Sequence, residues 1–211
     1  MIKYKHIYAG LIHDAMTFDI KYEKPFVLPN QIKKGWDFNG NMFGKVFNVK
    51  GKKVKRTNDS IRMDIFDNMP KNRILVLEAN DNKVAHFGDI TGRLLKRNNY
   101  KGAIIDGYIR DIELIKKDKF KTYCRGYLPK DSYDTWQLDK SNIVLKIGEV
   151  TINPNDYIFA DNTAIFLIPE KIVNELFVFI NKRFKKEKVI RKCISNSKIK
   201  PSQIKKRIGR W

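Results

Sequence analysis

Apolar and polar positions change their period several times along this chain. Residues 45–49 (KVFNV) alternate, and residues 73–78 (RILVLE) form a compact apolar run closed by a carboxylate; both predict strands. Residues 91–98 (TGRLLKRN) put Leu94 and Leu95 on one side and stop at an Asn pair, which predicts a helix. Residues 103–106 (AIID) then predict a buried strand that ends at Gly107, where the chain is expected to turn sharply. Strand, helix and strand in this order, joined by a short crossover, imply parallel pairing.

Further strands are predicted at 121–126 (KTYCRG), 142–147 (NIVLKI), 157–160 (YIFA) and 164–168 (AIFLI), with turns at Pro154 to Asp156 and at Asp161 with Asn162. After Pro169, apolar residues at Ile172, Val173, Leu176, Phe177 and Ile180 have helical spacing, and the helix is expected to pass Lys186. The N-terminal segment with His6 and His13 is expected to be helical. Residues 195–211 read as loose or only locally helical.

Composition changes this picture in two ways. With 42% hydrophobic residues, 13 Phe and 9 Tyr, the 211-residue chain can fill a substantial core. Cys124 and Cys193 have neither a disulfide framework nor metal-ligand spacing, and Cys124 reads as a small buried residue. No window approaches the roughly 18 apolar residues of a membrane span, and the first residues lack a signal-peptide run, so a soluble cytoplasmic protein is expected.

The net charge is +20, and it is uneven: residues 183–211 hold 12 Lys or Arg against one acid, leaving +9 for the other 182 residues. Either a polyanion-binding tail or a solvated lysine face accounts for it. Trp211, at the end of the basic tail, could stack on a base and give weak nucleic-acid binding.

The stretch GDITGRLLKRNNYKGAIIDGYIRD (88–111) places one carboxylate at its start and Arg110 with Asp111 at its end. If 103–106 is a strand, Arg110 and Asp111 sit beyond its C-terminal end, where such sheets present ligands. Asp89 then lies at a helix N-terminus whose amides at Ile90, Thr91 and Gly92 can receive an anion. Arg110 suits a bidentate grip on a carboxylate, and carboxylates with water suit Mg²⁺ or Mn²⁺. Equally, Asp89 suits an N-cap, and Arg110 with Asp111 suits a surface turn of local ion pairs. His86 beside them fits either an acid–base group or a packed, hydrogen-bonded neighbour.

These words resemble a known family. An Asp, twenty residues and then Arg-Asp, together with AHFGD (85–89), GAIIDGYIRD (102–111), RGYLPKDS (125–132) and IGEVTINPNDYIFADNTAIFLIP (147–169), resemble the RraA-like proteins. That family holds the class II 4-hydroxy-4-methyl-2-oxoglutarate aldolases and the regulators of ribonuclease activity A. The resemblance spans roughly residues 6 to 190. It departs at 78–81, where Glu, Ala, Asn and Asp replace a usual glycine pair, and at Thr163 and Ala164, where a glycine is usual.

The resemblance implies an α/β domain, a three-layer β/β/α fold of the swivelling type over residues 1–190, followed by a basic extension over 191–211. It implies a homotrimer or hexamer with sites between subunits, and a lyase dependent on Mg²⁺ or Mn²⁺. In that scheme Asp111 binds the metal, Asp89 holds water on it, and Arg110 clamps the pyruvyl oxygens. Backbone amides of Gly88, Asp89, Ile90 and Thr91 receive the substrate carboxylate, and Glu187 comes from a neighbouring subunit. The reaction implied is cleavage of a 4-hydroxy-2-oxo acid to pyruvate, or decarboxylation of oxaloacetate, both passing through a pyruvate enolate whose charge a metal and a guanidinium stabilise. The regulator branch implies the alternative, a non-catalytic protein docking on an RNA-degrading enzyme or RNA; it departs from the full triplet, which this chain keeps.

Overall fold

The computed structural model describes residues 6–195 and 199–209, so the stacking expectation for Trp211 lies outside the described residues. The chain runs through α1 (Ala9–Asp14), a π-helical turn (Ala15–Asp19), β1 (Lys33–Lys34), β2 (Met42–Lys53), α2 (Asp59–Asp67), β3 (Ile74–Glu78) and β4 (Ala85–Phe87). Next come α3 (Asp89–Arg97), β5 (Gly102–Asp106), β6 (Tyr108–Ile109), α4 (Ile112–Lys117), β7 (Thr122–Cys124), β8 (Gly126–Tyr127) and β9 (Trp136–Ser141). The remainder is β10 (Leu145–Ile147), β11 (Val150–Ile152), β12 (Tyr157–Ala160), β13 (Ile165–Ile168), α5 (Val173–Ile194) and α6 (Pro201–Ile208).

Residues 24–170 form one unit. Its main sheet has the order β1-β7-β5-β3-β2-β12-β13, with β9 also on β2. The apolar runs of β3 and β5 are its parallel centre, paired Ile74 to Gly102 through Glu78 to Asp106. Strands buried on both faces need near-continuous apolar runs, which these two supply up to the carboxylates, Glu78 and Asp106, that close them. Ile74, Val76 and Ile104 face one core, where the β10–β11 hairpin contributes Leu145, Ile147 and Ile152. Leu75, Leu77 and Ile105 face the other, against Ile65, Leu95 and Ile115 of α2, α3 and α4. The fold is therefore α/β in three layers, hairpin, sheet and helices.

The expected strand at 45–49 is only the middle of β2. This long strand pairs with β12 over residues 42–45 and with β9 over residues 49–53, the second pairing shifting register at Lys50/Gly51. The expected strand at 142–147 begins only at Leu145, because Asn142 takes a left-handed backbone (φ 55°) that ends extended pairing. Neither α2 nor β9 shows in the hydrophobic pattern: α2 buries only Ile65, and β9 (WQLDKS) is polar over most of its length. Asn58 starts α2 by accepting from the Ser60 amide at 3.1 Å.

The two chain ends, up to Glu23 and from Lys171, form the other unit. The expected long helix is α5, which passes position 190 and ends at Ile194. Arg183 on it pairs with Asp14, the last residue of α1, and with Asp19 of the π-helical turn. The tail's local helicity is α6, whose Ile204 is buried. Among the described residues no helix is long and apolar enough to cross a membrane.

Candidate active site

After each of β3, β5 and β7 the chain adds one strand to a second, smaller sheet. β4, β6 and β8 form a parallel three-stranded sheet in that order, stitched by Arg110 N–H to the Phe87 carbonyl (3.0 Å) and Leu128 N–H to the Ile109 carbonyl (3.1 Å). Each strand delivers a polar segment at its end: Gly88 and Asp89 after β4, Arg110 and Asp111 after β6, Asp131 a few residues after β8. The expectation that Arg110 and Asp111 lie beyond a strand end is met, with β6 inserted between that end and β5.

The glycines explain how closely these segments meet. Gly107 does not turn the chain through a left-handed backbone; it is needed because a Cβ there would lie 2.5 Å from His86 Nδ1 and 2.8 Å from Ala79 Cβ. The sharp conformation belongs to Asp111 itself (φ 58°, ψ 36°), which Asp tolerates better than most residues. A Cβ on Gly88 would stand 2.8 Å from Asp111 Oδ2 and 3.6 Å from Arg110 Nε. The bare Cα of Gly88 thus opens a cradle beneath the Asp111 carboxylate and the Arg110 guanidinium.

The charged groups are arranged around that cradle. Arg110 Nε lies 3.2 Å from Asp111 Oδ2, and its Nη1 lies 2.6 Å from Asp131 Oδ2. The local pairing of Arg110 with Asp111 therefore exists, yet Asp111 stands at the N-cap of α4 without capping it, leaving its carboxylate to the cavity. Asp89 is not an N-cap either. Gly88 holds that position, and Asp89 occupies the first turn of α3, 3.5 Å from Arg93. The expected free amide of Gly92 is engaged, donating to the Gly88 carbonyl at 3.0 Å. The amides that helix geometry leaves over are those of Asp89, Ile90 and Thr91.

His86 resolves to the packed alternative. Its side chain is fully buried, Nδ1 accepts from the Tyr108 amide at 3.1 Å, and Nε2 lies 3.3 Å from Asp81 Oδ2. With Nδ1 accepting, Nε2 carries the proton and donates to Asp81, so neither nitrogen is free for catalysis. Burial lowers the His86 pKa, and the Asp81 carboxylate only partly opposes this. For Asp81 burial acts upward, but the Lys83 amide and His86 outweigh it and the net shift is downward. Cys124 is buried, which pushes its thiol up to about 11 and leaves it inert as a nucleophile.

Gly88, Asp89, Ile90, Thr91, Arg110 and Asp111 all border one cavity of about 210 Å³, which Asp131 also lines. Asp131 sits in the stretch RGYLPKDS, and its place at the third strand end was the available signal. Glu187 lies on α5 in the other unit, accepting from the Tyr8 hydroxyl and from Arg191. Among the described residues no three His, Cys, Asp or Glu side chains form a protein-only metal cage. One or two carboxylates over an open cradle fit Mg²⁺, which keeps most of its water.

A family model described as RraA-like, Aldolase/RraA, matches residues 10–167, and the chain belongs to that family. It is similar to Protein DlpA of Legionella pneumophila, with 30% identity over 111 residues, which is 52% of this chain but only 18% of DlpA's length. It is similar to a Bacillus cereus protein named "Putative 4-hydroxy-4-methyl-2-oxoglutarate aldolase", with 29% identity over 134 residues, 61% of this chain and 82% of that one. The fold is shared with the crystal structure of an unusual member of the RNase ES inhibitor RraA protein family from Streptomyces coelicolor (TM-score 0.71, 18% identity, 87% of this chain and 89% of that chain).

Proposed function

We propose that this protein is a cytoplasmic lyase, dependent on a divalent cation, that cleaves a 4-hydroxy-2-oxo acid to pyruvate or decarboxylates oxaloacetate. The observation that carries this reading is the convergence of Asp89, Arg110 and Asp111 on one cavity at the ends of β4 and β6. The named Bacillus cereus relative supports it at the level of the family.

In this reading the Arg110 fork grips the oxygens of the pyruvyl half, and the amides of Asp89, Ile90 and Thr91 receive its carboxylate at the positive end of α3. Asp111 would hold Mg²⁺ or Mn²⁺, and Asp89 would accept hydrogen bonds from water beside it. The cation, when bound, supplies Lewis-acid stabilisation of charge growing on the 2-oxo oxygen. Arg110 adds a fixed positive charge to the same oxygen, aligned before reaction and so needing little reorganisation. Glu187 would join from a neighbouring subunit of a homotrimer or hexamer.

The test is pyruvate release from 4-hydroxy-4-methyl-2-oxoglutarate and oxaloacetate, with and without Mg²⁺ or Mn²⁺. Cation-dependent turnover is expected, with Arg110→Ala slower by about 10²- to 10³-fold, the scale of a lost oxyanion donor. No turnover of either acid, or wild-type rates in Arg110→Ala and Asp111→Ala, refutes the reading.

A further inference from the structure

The cavity that holds the charged triplet does not end there. The same space is bordered by Phe47, Ile65, Phe66, Met69, Leu75 and Leu77, contributed by β2, α2, the segment after α2, and β3. The polar groups along this deeper part are already engaged. Gln137 Oε1 accepts from the Asn58 amide at 2.7 Å, Thr57 Oγ1 accepts from the Asp134 amide at 2.8 Å, and Arg62 pairs with Asp59 at 2.7 Å on the exposed side of α2. One end of the cavity is thus built for an anion and the other for hydrocarbon.

We infer that the substrate is a 2-oxo acid carrying a hydrophobic substituent beyond the reacting carbons, a branched alkyl or aryl group, instead of a second carboxylate. This rests on the proposed lyase reading for the placing of the oxo-acid head at Arg110. A second carboxylate against the buried Phe47, Ile65, Met69, Leu75 and Leu77 would lose its water for, at most, the half-exposed Arg62, which it would have to take from Asp59, whereas an apolar group gains by leaving water. Size agrees: an apolar cavity of about 150 Å³ accepts a benzene ring, and here about 210 Å³ spans head and tail together. Trp136, whose indole N–H donates to the Ala79 carbonyl at 2.7 Å, also borders the space and provides a fluorescent reporter.

The experiment is calorimetric titration of the full chain, with Mg²⁺ present, by 2-oxo-4-phenylbutanoate and by 2-oxoglutarate, neither of which has a 4-hydroxyl to permit aldol cleavage. The phenyl acid is expected to bind at least about tenfold more tightly, from the transfer of its ring out of water. Met69→Phe, which fills the apolar end, is expected to reduce that preference by most of its value, and Met69→Ala to retain it. Trp136 emission should shift with the phenyl acid. Equal or tighter binding of 2-oxoglutarate, or no binding of the phenyl acid, overturns the inference; in either case pyruvate release from oxaloacetate decides separately whether the lyase reading stands. Binding of the phenyl acid with no pyruvate released from oxaloacetate would keep the pocket assignment and sink the lyase.

Discussion

Arg110 Nη1 meets Asp131 Oδ2 at 2.6 Å, joining the segment after β6 to the segment after β8. Asp131 thereby stands where a substrate carboxylate would stand against the same guanidinium. Its side chain is 54% exposed, and exposed pairs of this kind contribute only about 0–1 kcal/mol, so a substrate can displace it. Asp131→Asn should lower KM for the oxo acid by up to about fivefold, the equivalent of that energy. Values of kcat should stay within about twofold. Steady-state kinetics check this, and a raised KM with a fallen kcat would show that Asp131 positions Arg110 instead of competing for it.

Gly88 separates folding from chemistry. Its φ of −146° suits any residue, so the backbone accepts alanine, but the added Cβ would meet Asp111 Oδ2 at 2.8 Å. Gly88→Ala should leave the melting temperature within a few degrees, a change below about 1 kcal/mol. The displaced carboxylate should raise the Mg²⁺ concentration for half-maximal activation about tenfold or more, by analogy with losses on disturbing a metal site's surroundings. Unchanged Mg²⁺ activation would remove Asp111 from the cation site.

Much of this arrangement was legible in the chain, and the reasons are local. β3 and β5 are buried on both faces, so their residues had to be apolar up to the closing Glu78 and Asp106, and α3 announces itself by Leu94 and Leu95. The Asp89, Arg110 and Asp111 spacing pointed to one rim because each follows an element end. What escaped notice depends on distant partners. β9 is polar and holds its place only by pairing with the second half of β2, while α2 buries a single residue. Asp131 becomes a site residue only when β8 brings its segment beside Arg110, and the role of Gly107 depends on a histidine 21 positions earlier.

That histidine makes stability depend on pH. His86 has a folded pKa below its ordinary 6.5, so between those two values the unfolded chain binds a proton that the native one does not. Stability is retained above the unfolded value and falls as pH drops through the window, by up to about 1.4 kcal/mol per unit. The lowered Asp81 pKa acts in the same sense at lower pH. Denaturant midpoints measured from pH 7.5 down to about 5 should show this decline. In His86→Gln the slope between about pH 6.5 and 5.5 should flatten even though the variant is less stable overall. An unaltered slope would place the responsible proton elsewhere.

The basic tail gives the last prediction. In α6 the exposed residues include Lys205 and Lys206, while Ile204 on the same helix is buried. The helix therefore presents its lysines from a fixed seat instead of trailing them freely. We propose that this face gives weak, sequence-independent affinity for RNA. The logarithm of the binding constant should fall against the logarithm of salt with a slope of about −0.7 for each phosphate neutralised on a single strand. Changing Lys205 and Lys206 together to Gln keeps Ile204 in place, so it should reduce the slope by about 1.4 without altering the melting temperature or pyruvate release. Deletion of residues 199–211 removes the seat as well and should abolish that binding. If light scattering shows that the deletion also dissolves the oligomer, or if the paired substitution binds RNA as the parent does, α6 serves assembly and the polyanion reading fails.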